Sequence, residues 1–152
     1  MRCSRNIGDR VCDCRIFVPV DPRVPGADNP PSMGPAGTVH ASIADWIKFG
    51  QVFIGGGPQG FLSRTTTAEL LRPAGNSYAA GWFVVDRAWA GGTALNHHGS
   101  STLNFATVWL APNKGRGIVI AANGTNSDTP AVLDRLAGWM VTRYIATFES
   151  TD

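Results

Sequence analysis

The sequence predicts a mixed α/β domain of the α+β type, in which an antiparallel sheet is flanked by helices and followed by a C-terminal helix. Two observations predict this class. Apolar residues recur at helical spacing in three segments of the chain. Between the second and the third of these segments, the sequence is rich in aromatic and β-branched residues. In addition, 18 Gly and 10 Pro among 152 residues indicate many turns between short elements, while 43% hydrophobic residues can fill a packed core.

The N-terminal region is expected to lack regular structure. Six of the ten prolines lie between Pro19 and Pro35, and proline lacks the backbone donor and fixes its own φ. We therefore expect an irregular leader over residues 1–26, irregular or extended structure up to about residue 36, and one domain over residues 27–152. The three cysteines lie in the leader, at Cys3, Cys12 and Cys14. Their spacing favours free thiols over a redox or zinc site.

Three helices are predicted, each from a start signal and an apolar repeat. Ser42, followed three residues later by Asp45, is close to a capping box and begins a helix of about three turns. Residues 63–71 repeat this pattern more weakly. The C-terminal helix is expected to begin with Thr129 as its cap and Pro130 in its first turn. Its buried face is expected to contain Leu133, Leu136, Ala137, Met140 and Tyr144.

Three strands are predicted between the second and the third helix. Residues 78–85 are aromatic and β-branched, as a strand prefers. Residues 103–111 are apolar on both faces, which is typical of a central strand covered on both sides. A turn over residues 112–116 leads to the apolar residues 117–122, so the last two strands are expected to form an antiparallel hairpin.

The charge and hydropathy patterns argue against two classes of partner. The chain has 13 basic and 11 acidic residues, a formal charge of +2, and no basic run that could follow a phosphate backbone. No apolar stretch reaches the length of a signal-peptide core or of a membrane-spanning helix. We expect no nucleic-acid partner and no membrane span, and the sequence does not indicate a compartment.

The residues most suggestive of chemistry are 96–101, with two histidines and two serines just before the strand predicted to begin near residue 103. A metal site is disfavoured, because His97 and His98 would point to opposite sides of an extended chain and only His40 remains as a third imidazole. A Ser–His catalytic pair is disfavoured because no Gly-x-Ser-x-Gly elbow is present. A third interpretation is a solvated turn in which these side chains satisfy backbone groups.

A further interpretation comes from resemblance to a known family. Residues 97–100, His-His-Gly-Ser, precede a strand rich in aromatic residues, then Ala-Pro-Asn-Lys at 111–114 and an apolar strand ending in Asn123. This series resembles the third motif of the serine β-lactamase and penicillin-binding-protein (DD-peptidase) superfamily. In β-lactamase-related members, the Lys-Thr-Gly of that motif is often replaced by His-x-Gly.

The resemblance extends upstream of this motif. Residues 29–42, which include Pro-Ala-Gly at 35–37, and the following Asp45-Trp46 are similar to the family's Pro-Ala-Gly segment and the helix behind it. Gly81-Trp82 resembles the strand that precedes the third motif. The resemblance covers residues 27–148 and implies the C-terminal part of a β-lactamase/transpeptidase-like fold.

The resemblance also implies a role for each residue of the motif. His97 takes the position of the lysine that helps to bind the substrate carboxylate, His98 that of the threonine, and Gly99 that of the small residue that lets substrate approach the strand edge. We therefore expect a substrate-binding set of His97, His98, Gly99 and Ser100, with pH dependence through the His97 imidazole. The expected ligand is a small acyl substrate or a carboxylate, without a cofactor or a metal.

The catalytic residues of the family are not found in the sequence. Its reaction needs Ser-x-x-Lys, in which a lysine one helical turn after the serine accepts the serine's proton. The chain has only Lys48 and Lys114, and the residues three places before them are Asp45 and Ala111. The second motif, Tyr-x-Asn or Ser-x-Asn, is matched only at residues 4–6, which we interpret as chance. We therefore expect neither a catalytic nucleophile nor a general base.

Three functional hypotheses compete on the sequence. The first is a truncated or remnant serine hydrolase of this family, without acyl-transfer activity of its own. The second is a non-catalytic module that binds a carboxylate or a peptidoglycan-like ligand. The third is one half of a two-chain hydrolase, in which an N-terminal polypeptide supplies Ser-x-x-Lys and binds a sheet face left apolar and exposed. Self-association through the same face is the alternative to that partner.

Overall fold

The structure is a computed structural model that describes residues 21, 23–101 and 104–147. Most of the leader predicted over residues 1–26, including its three cysteines, lies outside the described residues.

Five antiparallel strands form one sheet, in which the spatial order follows the chain order. The strands are β1 Tyr78–Ala79, β2 Trp82–Arg87, β3 Gly92–Ser100, β4 Phe105–Ala111 and β5 Arg116–Ala122. Successive strands pair through short connections, as antiparallel neighbours can. Together with the helices described below, this sheet confirms the predicted α+β class.

The pairing register leaves the end of β3 at an edge of the sheet. β2 pairs with β3 only as far as Phe83 opposite Asn96, whereas β4 pairs as far as Phe105 opposite Ser100. Among the described residues, positions 97–100 therefore have a partner strand on the β4 side and none on the β2 side.

Helices cover both faces of this sheet. On one face, α2 (Ile43–Val52) and α3 (Arg64–Leu70) surround a buried cluster. That cluster consists of Phe53, Trp82, Leu95, Val108 and Leu110. On the other face lies α4 (Thr129–Val141), continued by a π-helical turn over Thr142–Ala146. The apolar sheet face that we expected to be exposed is thus covered, and within the described sheet the outer edge of β5 pairs with no further strand.

Side-chain caps fix the starts of α2 and α3. The Ser42 hydroxyl oxygen accepts a hydrogen bond from the Asp45 backbone N–H at 3.1 Å, and the hydroxyl donates to the Asp45 carboxylate at 2.7 Å. Ser63 accepts from the Thr66 backbone N–H at 2.9 Å. Both helices were predicted from these start signals, and both are confirmed.

The C-terminal helix is confirmed, as is the burial of Leu133 and Ala137, but its cap and two residues of its buried face were predicted wrongly. Thr129 is its first residue, and the Asn126 side-chain oxygen accepts from the backbone N–H groups of Asp128 and Thr129. Leu136 and Tyr144, predicted to be buried, are 40% and 51% exposed. The buried stripe is Leu133, Ala137, Val141 and Ile145. Apolar residues lie on two adjacent sides of this helix, so periodicity alone could not choose between them.

One strand prediction was also wrong. Residues 78–85 form two strands rather than one, because Ala80 and Gly81 adopt φ values of 41° and 92° in a two-residue hairpin turn. The alternative interpretation of residues 96–101 as a solvated turn does not hold for residues 96–100, which form the end of β3. Their polar side chains suggested a turn, since propensity scales weigh side-chain polarity and not strand pairing.

The proline-rich segment is more regular than predicted. Pro31–Met33 forms a 3₁₀ turn and α1 (Gly34–Gly37) forms one helical turn. Proline is tolerated in a first helical turn because its missing N–H would have no partner there. Within the described part of the chain, no helix has the length and apolar content needed to cross a membrane.

Candidate functional site

A cleft of 340 Å³ lies where the end of β3 meets the N-terminal segment of the domain. Its walls come from the segment 28–40 on one side and from residues 99–101, 104 and 106 of the β3–β4 hairpin on the other. The polar side chains in its lining belong to Asp28, Asn29, His40, Ser100, Ser101 and Asn104. The fold thus brings the Pro-Ala-Gly segment and the Gly99-Ser100 end of the His-His-Gly-Ser motif, far apart in sequence, to one site.

The four residues of the predicted substrate-binding set do not all face this cleft. Gly99 and Ser100 line it. His98 lines a different cavity, on the α4 face of the sheet. His97 lies on the opposite side of the strand from His98, because side chains alternate along β3. The strand geometry therefore divides the motif between two faces.

His97 is half-buried in an aromatic environment. Its Nε2 lies 3.3 Å from the Tyr78 hydroxyl oxygen, and its ring stacks at 6.5 Å from that of Phe83. Burial, and then the neighbouring His98, lower the pKa of His97 below its ordinary value. The imidazole is therefore largely uncharged at neutral pH. The lysine of the resembled motif would carry a permanent positive charge. His97 at that position would instead offer a neutral hydrogen-bond donor or acceptor.

His98 is exposed and stacks between two aromatic rings. Its ring lies 6.3 Å from that of Phe83 and 6.1 Å from that of Phe105, and both pairs are nearly parallel. The two histidine rings are 6.4 Å apart. The described residues contain no group of three His, Cys, Asp or Glu side chains that could hold a metal ion.

Gly99 provides the open approach to the strand edge. A Cβ atom built at this position would meet no atom within 4 Å. The residue is exposed, and the neighbouring β4 residue, Ala106, also lines the cleft. A ligand could therefore reach the backbone of β3 here without displacing a side chain.

The hydroxyl of Ser100 is occupied by the hairpin itself. It donates to the carbonyl oxygens of Ser101 at 3.0 Å and Asn104 at 3.3 Å. The Asn104 backbone N–H in turn donates to the Ser101 hydroxyl oxygen at 3.2 Å. These bonds stabilise the turn, and the Ser100 hydroxyl donates to backbone carbonyl groups rather than to the base that a serine nucleophile requires.

Three cleft residues were not predicted as site residues. His40 was considered only as a third metal ligand, yet it lines the cleft with Asp28 and Asn29. Its Nδ1 donates to the Thr38 carbonyl oxygen at 2.7 Å, and its Nε2 lies 3.8 Å from the Asp28 carboxylate. The Asn29 amide donates to the Gly37 carbonyl oxygen at 3.2 Å. The only signal in the sequence was their place in and beside the Pro-Ala-Gly segment.

Both lysines of the chain act elsewhere in the structure. Lys48 forms an ion pair with Asp45 at 2.9 Å on the surface of α2. Lys114 donates to the carbonyl oxygens of Ile145 at 3.1 Å and Ala146 at 3.3 Å, at the end of the C-terminal helix. Neither lysine lines the cleft. No lysine is therefore placed to accept a proton from a serine there.

Comparison of this chain with models of protein families, with curated proteins and with solved structures finds no match.

Proposed function

We propose that this chain is the C-terminal part of a β-lactamase-related serine hydrolase, and that its cleft binds a small carboxylate or acyl compound without performing acyl transfer. The observation that carries this proposal is the open edge of β3 at residues 97–100. An exposed strand edge can form main-chain hydrogen bonds with an extended amide. Gly99 leaves room for that amide to approach.

The chemistry of the cleft supports binding without turnover. The side chains of Asn29, His40 and Ser100 present polar groups to a ligand. The Ser100 hydroxyl, however, donates to backbone carbonyls, and both lysines are occupied outside the cleft. A covalent acyl intermediate needs an activated nucleophile, and the described part of the chain does not present one in the cleft.

The absence of turnover is tested by mass spectrometry. We would incubate the full chain separately with a fluorescent penicillin and with an activated phosphonate, and measure the intact mass. We expect no covalent adduct on a folded sample. An adduct on any serine would overturn the non-catalytic part of the proposal, and peptide mapping would identify the nucleophile.

Binding is tested by NMR titration with N-acetyl-D-alanyl-D-alanine, a small amide with a free carboxylate. We expect the backbone signals of Gly99 and Ser100 to shift. Gly99→Val should abolish these shifts, because its side chain would fill the open space above the strand. Thr93→Val, at an exposed position of β3 outside the cleft, is the matched control and should bind normally. If the wild-type chain shows no shifts, or if both variants behave alike, the cleft is not the ligand site.

A second candidate function, one half of a two-chain hydrolase, is favoured by the outer edge of β5. In the described sheet, β5 pairs with β4 alone. A cavity of 450 Å³ follows this edge between α2 and the C-terminal helix. Its apolar lining includes Ile47, Ile54, Ile118, Val119, Met140 and Ile145. An open edge with apolar walls can accept an additional strand, which we assign to a separate polypeptide carrying Ser-x-x-Lys and Tyr-x-Asn.

The two-chain hypothesis is tested by reconstitution. The chain is mixed with an N-terminal polypeptide of a β-lactamase-related hydrolase, and hydrolysis of p-nitrophenyl butyrate is measured. Activity should require both chains, and Ile47→Lys should abolish it because this side chain lines the cavity. Ile43→Lys, on the same helix and similarly exposed but outside the cavity, should leave it unchanged. If no activity appears and light scattering instead shows a homodimer, the edge is occupied by a second copy of the chain.

A further inference from the structure

A groove on the α4 face of the sheet has a composition different from that of the cleft beside Gly99. It consists of two adjoining cavities, of 320 Å³ and 270 Å³, between the C-terminal helix and the sheet. Trp109 and Asp134 line both cavities and therefore lie where the two meet. We call this feature the Trp109–Asp134 groove.

The aromatic walls of this groove are fixed by packing. Trp109 meets Trp89 edge to face, with ring centroids 5.8 Å apart and planes at 75°. At the other end, the His98 ring lies parallel to Phe105 at 6.1 Å. Both Trp89 and Trp109 pack against the buried core of the domain. Rings held in this way present π faces and edges to a ligand without a large loss of side-chain entropy.

The floor of the groove presents acceptors. Asn96 and Thr107 are buried, and both donate to backbone carbonyls of the sheet. The Asn96 amide donates to the Val108 carbonyl oxygen at 2.8 Å, and the Thr107 hydroxyl donates to that of His97 at 3.5 Å. The side-chain oxygen atoms of Asn96 and Thr107 can also accept hydrogen bonds, and both residues line the cavity that contains His98.

The carboxylate of Asp134 lacks the local ion pair that the carboxylates of Asp45 and Glu69 have. Asp45 pairs with Lys48 at 2.9 Å, and Glu69 pairs with Arg72 at 2.6 Å. The Asp134 carboxylate makes no hydrogen bond or ion pair with another described residue. Its negative charge is therefore available to a cation in the groove.

We infer that the Trp109–Asp134 groove binds a small organic cation, an ammonium or guanidinium group carried on an apolar or aromatic body. The carboxylate and the tryptophan face both attract a cation, and the floor accepts its N–H donors. The body of the ligand lies against the aromatic walls. Arg87 lines only the cavity that contains Trp89, where its positive charge repels a cationic ligand. We therefore assign the cation of the ligand to the other cavity, beside His98 and Phe105.

This inference is independent of the proposed function. The cleft beside Gly99 is assigned to a carboxylate or acyl compound, and the groove is assigned to a cation. His98, which the family resemblance placed in the substrate-binding set, lines the groove and not the cleft. A ligand of either kind can therefore bind or fail to bind without the other.

The charge of the ligand is tested with two probes of matched shape, 2-phenylethylammonium and uncharged 2-phenylethanol, in NMR titrations of the full chain. The ammonium should shift the backbone signals of residues 96–98, 105–109 and 130–138, and it should bind about tenfold more tightly than the alcohol. Equal affinity for the two probes, or shifts located elsewhere, would overturn the inference.

The role of the carboxylate is tested by Asp134→Asn, which should lower the affinity for the ammonium to that of the alcohol. Asp86→Asn removes the same charge from an exposed position outside the groove and should change neither affinity. Trp109→Phe keeps an aromatic ring and should weaken ammonium binding less than Trp109→Leu does. Unchanged binding by Asp134→Asn contradicts the assignment whether or not the tryptophan variants fold.

Discussion

The Nε2 atom of His97 lies 3.3 Å from the hydroxyl oxygen of Tyr78, which joins the end of β3 to the start of β1. The phenol hydroxyl can donate to a bare Nε2 or accept from a protonated one, so this contact positions the ring without setting its charge. Burial of the ring, and then the neighbouring His98, lower the pKa of His97 and favour the uncharged imidazole. The residue that sequence resemblance equated with a lysine is held neutral by its surroundings.

The lowered pKa of His97 predicts a loss of stability in weak acid. The folded-state pKa is depressed, so the unfolded chain binds the proton more readily. The stability contributed by the neutral His97 ring is thus fully present above the pKa of the unfolded state. It is lost as the pH falls from that pKa toward the lower pKa of the folded state. We expect urea unfolding to show stability that decreases below about pH 6.5, the ordinary value for histidine.

The variant His97→Gln provides the test of this assignment, because glutamine cannot titrate. Its stability should depend less on pH over the same interval than that of the wild-type chain. His40→Gln, which removes an exposed histidine of the cleft, is the control. If the two variants keep the same slope as wild type, another group causes the pH dependence. The His97 pKa itself can be read from the NMR shifts of its ring.

Strand pairing explains why the candidate site could be predicted only in part. The sequence correctly placed a polar cluster at residues 96–101 beside a buried strand, and the hairpin after it is confirmed. The sequence did not reveal that β3 pairs with β2 only up to Asn96, which creates the open edge. Register depends on contacts between distant segments, which local propensity does not contain.

The position of His40 could not be predicted for a related reason. It lies about sixty residues before Gly99 in the chain, and only the packing of residues 28–40 against the β3–β4 hairpin brings the two together. Residue types indicated what chemistry was available. The tertiary structure determined which side chains share a cleft and which, like His98, face the other side of the sheet.

The corrected face of the C-terminal helix predicts a contrast between two leucines. Leu133 is 8% exposed and belongs to the core, whereas Leu136 is 40% exposed. Leu133→Ala should lower the free energy of unfolding by about 2–5 kcal/mol, since it removes buried methyl groups and leaves a cavity. Leu136→Ala should cost about 1 kcal/mol or less, because much of that side chain already contacts water. Chemical denaturation of both variants measures this difference, and equal losses would support the face that periodicity first suggested.

Two glycines of the sheet predict opposite responses to a methyl group. A Cβ atom on Gly117 of β5 would lie 2.5 Å from a Leu110 methyl carbon and 3.0 Å from the Trp109 carbonyl oxygen. Gly117→Ala should therefore destabilise the domain by about 1–3 kcal/mol, the usual cost of overpacking. Gly99→Ala meets open space and should change stability by less than about 0.5 kcal/mol, as substitutions on open surface do. Thermal unfolding distinguishes them, and a Gly117→Ala variant as stable as wild type would mean that β5 shifts to accommodate the methyl group.

The contact of Lys114 with the last turn predicts a structural and not a catalytic role for this lysine. Its ammonium group donates to the carbonyl oxygens of Ile145 and Ala146 in the last helical turn, where carbonyl groups lack the regular i+4 partner of a helix interior. A cation at a helix C-terminus also interacts favourably with the helix dipole. Lys114→Met should therefore lower stability by about 1 kcal/mol and speed hydrogen exchange in the last turn.

Lys48→Met, the control, removes only a surface ion pair with Asp45 and should cost less than about 0.5 kcal/mol. Neither variant should alter ligand binding in the cleft. Loss of binding in Lys114→Met, on a sample whose NMR spectrum shows the fold intact, would instead connect this lysine to the site.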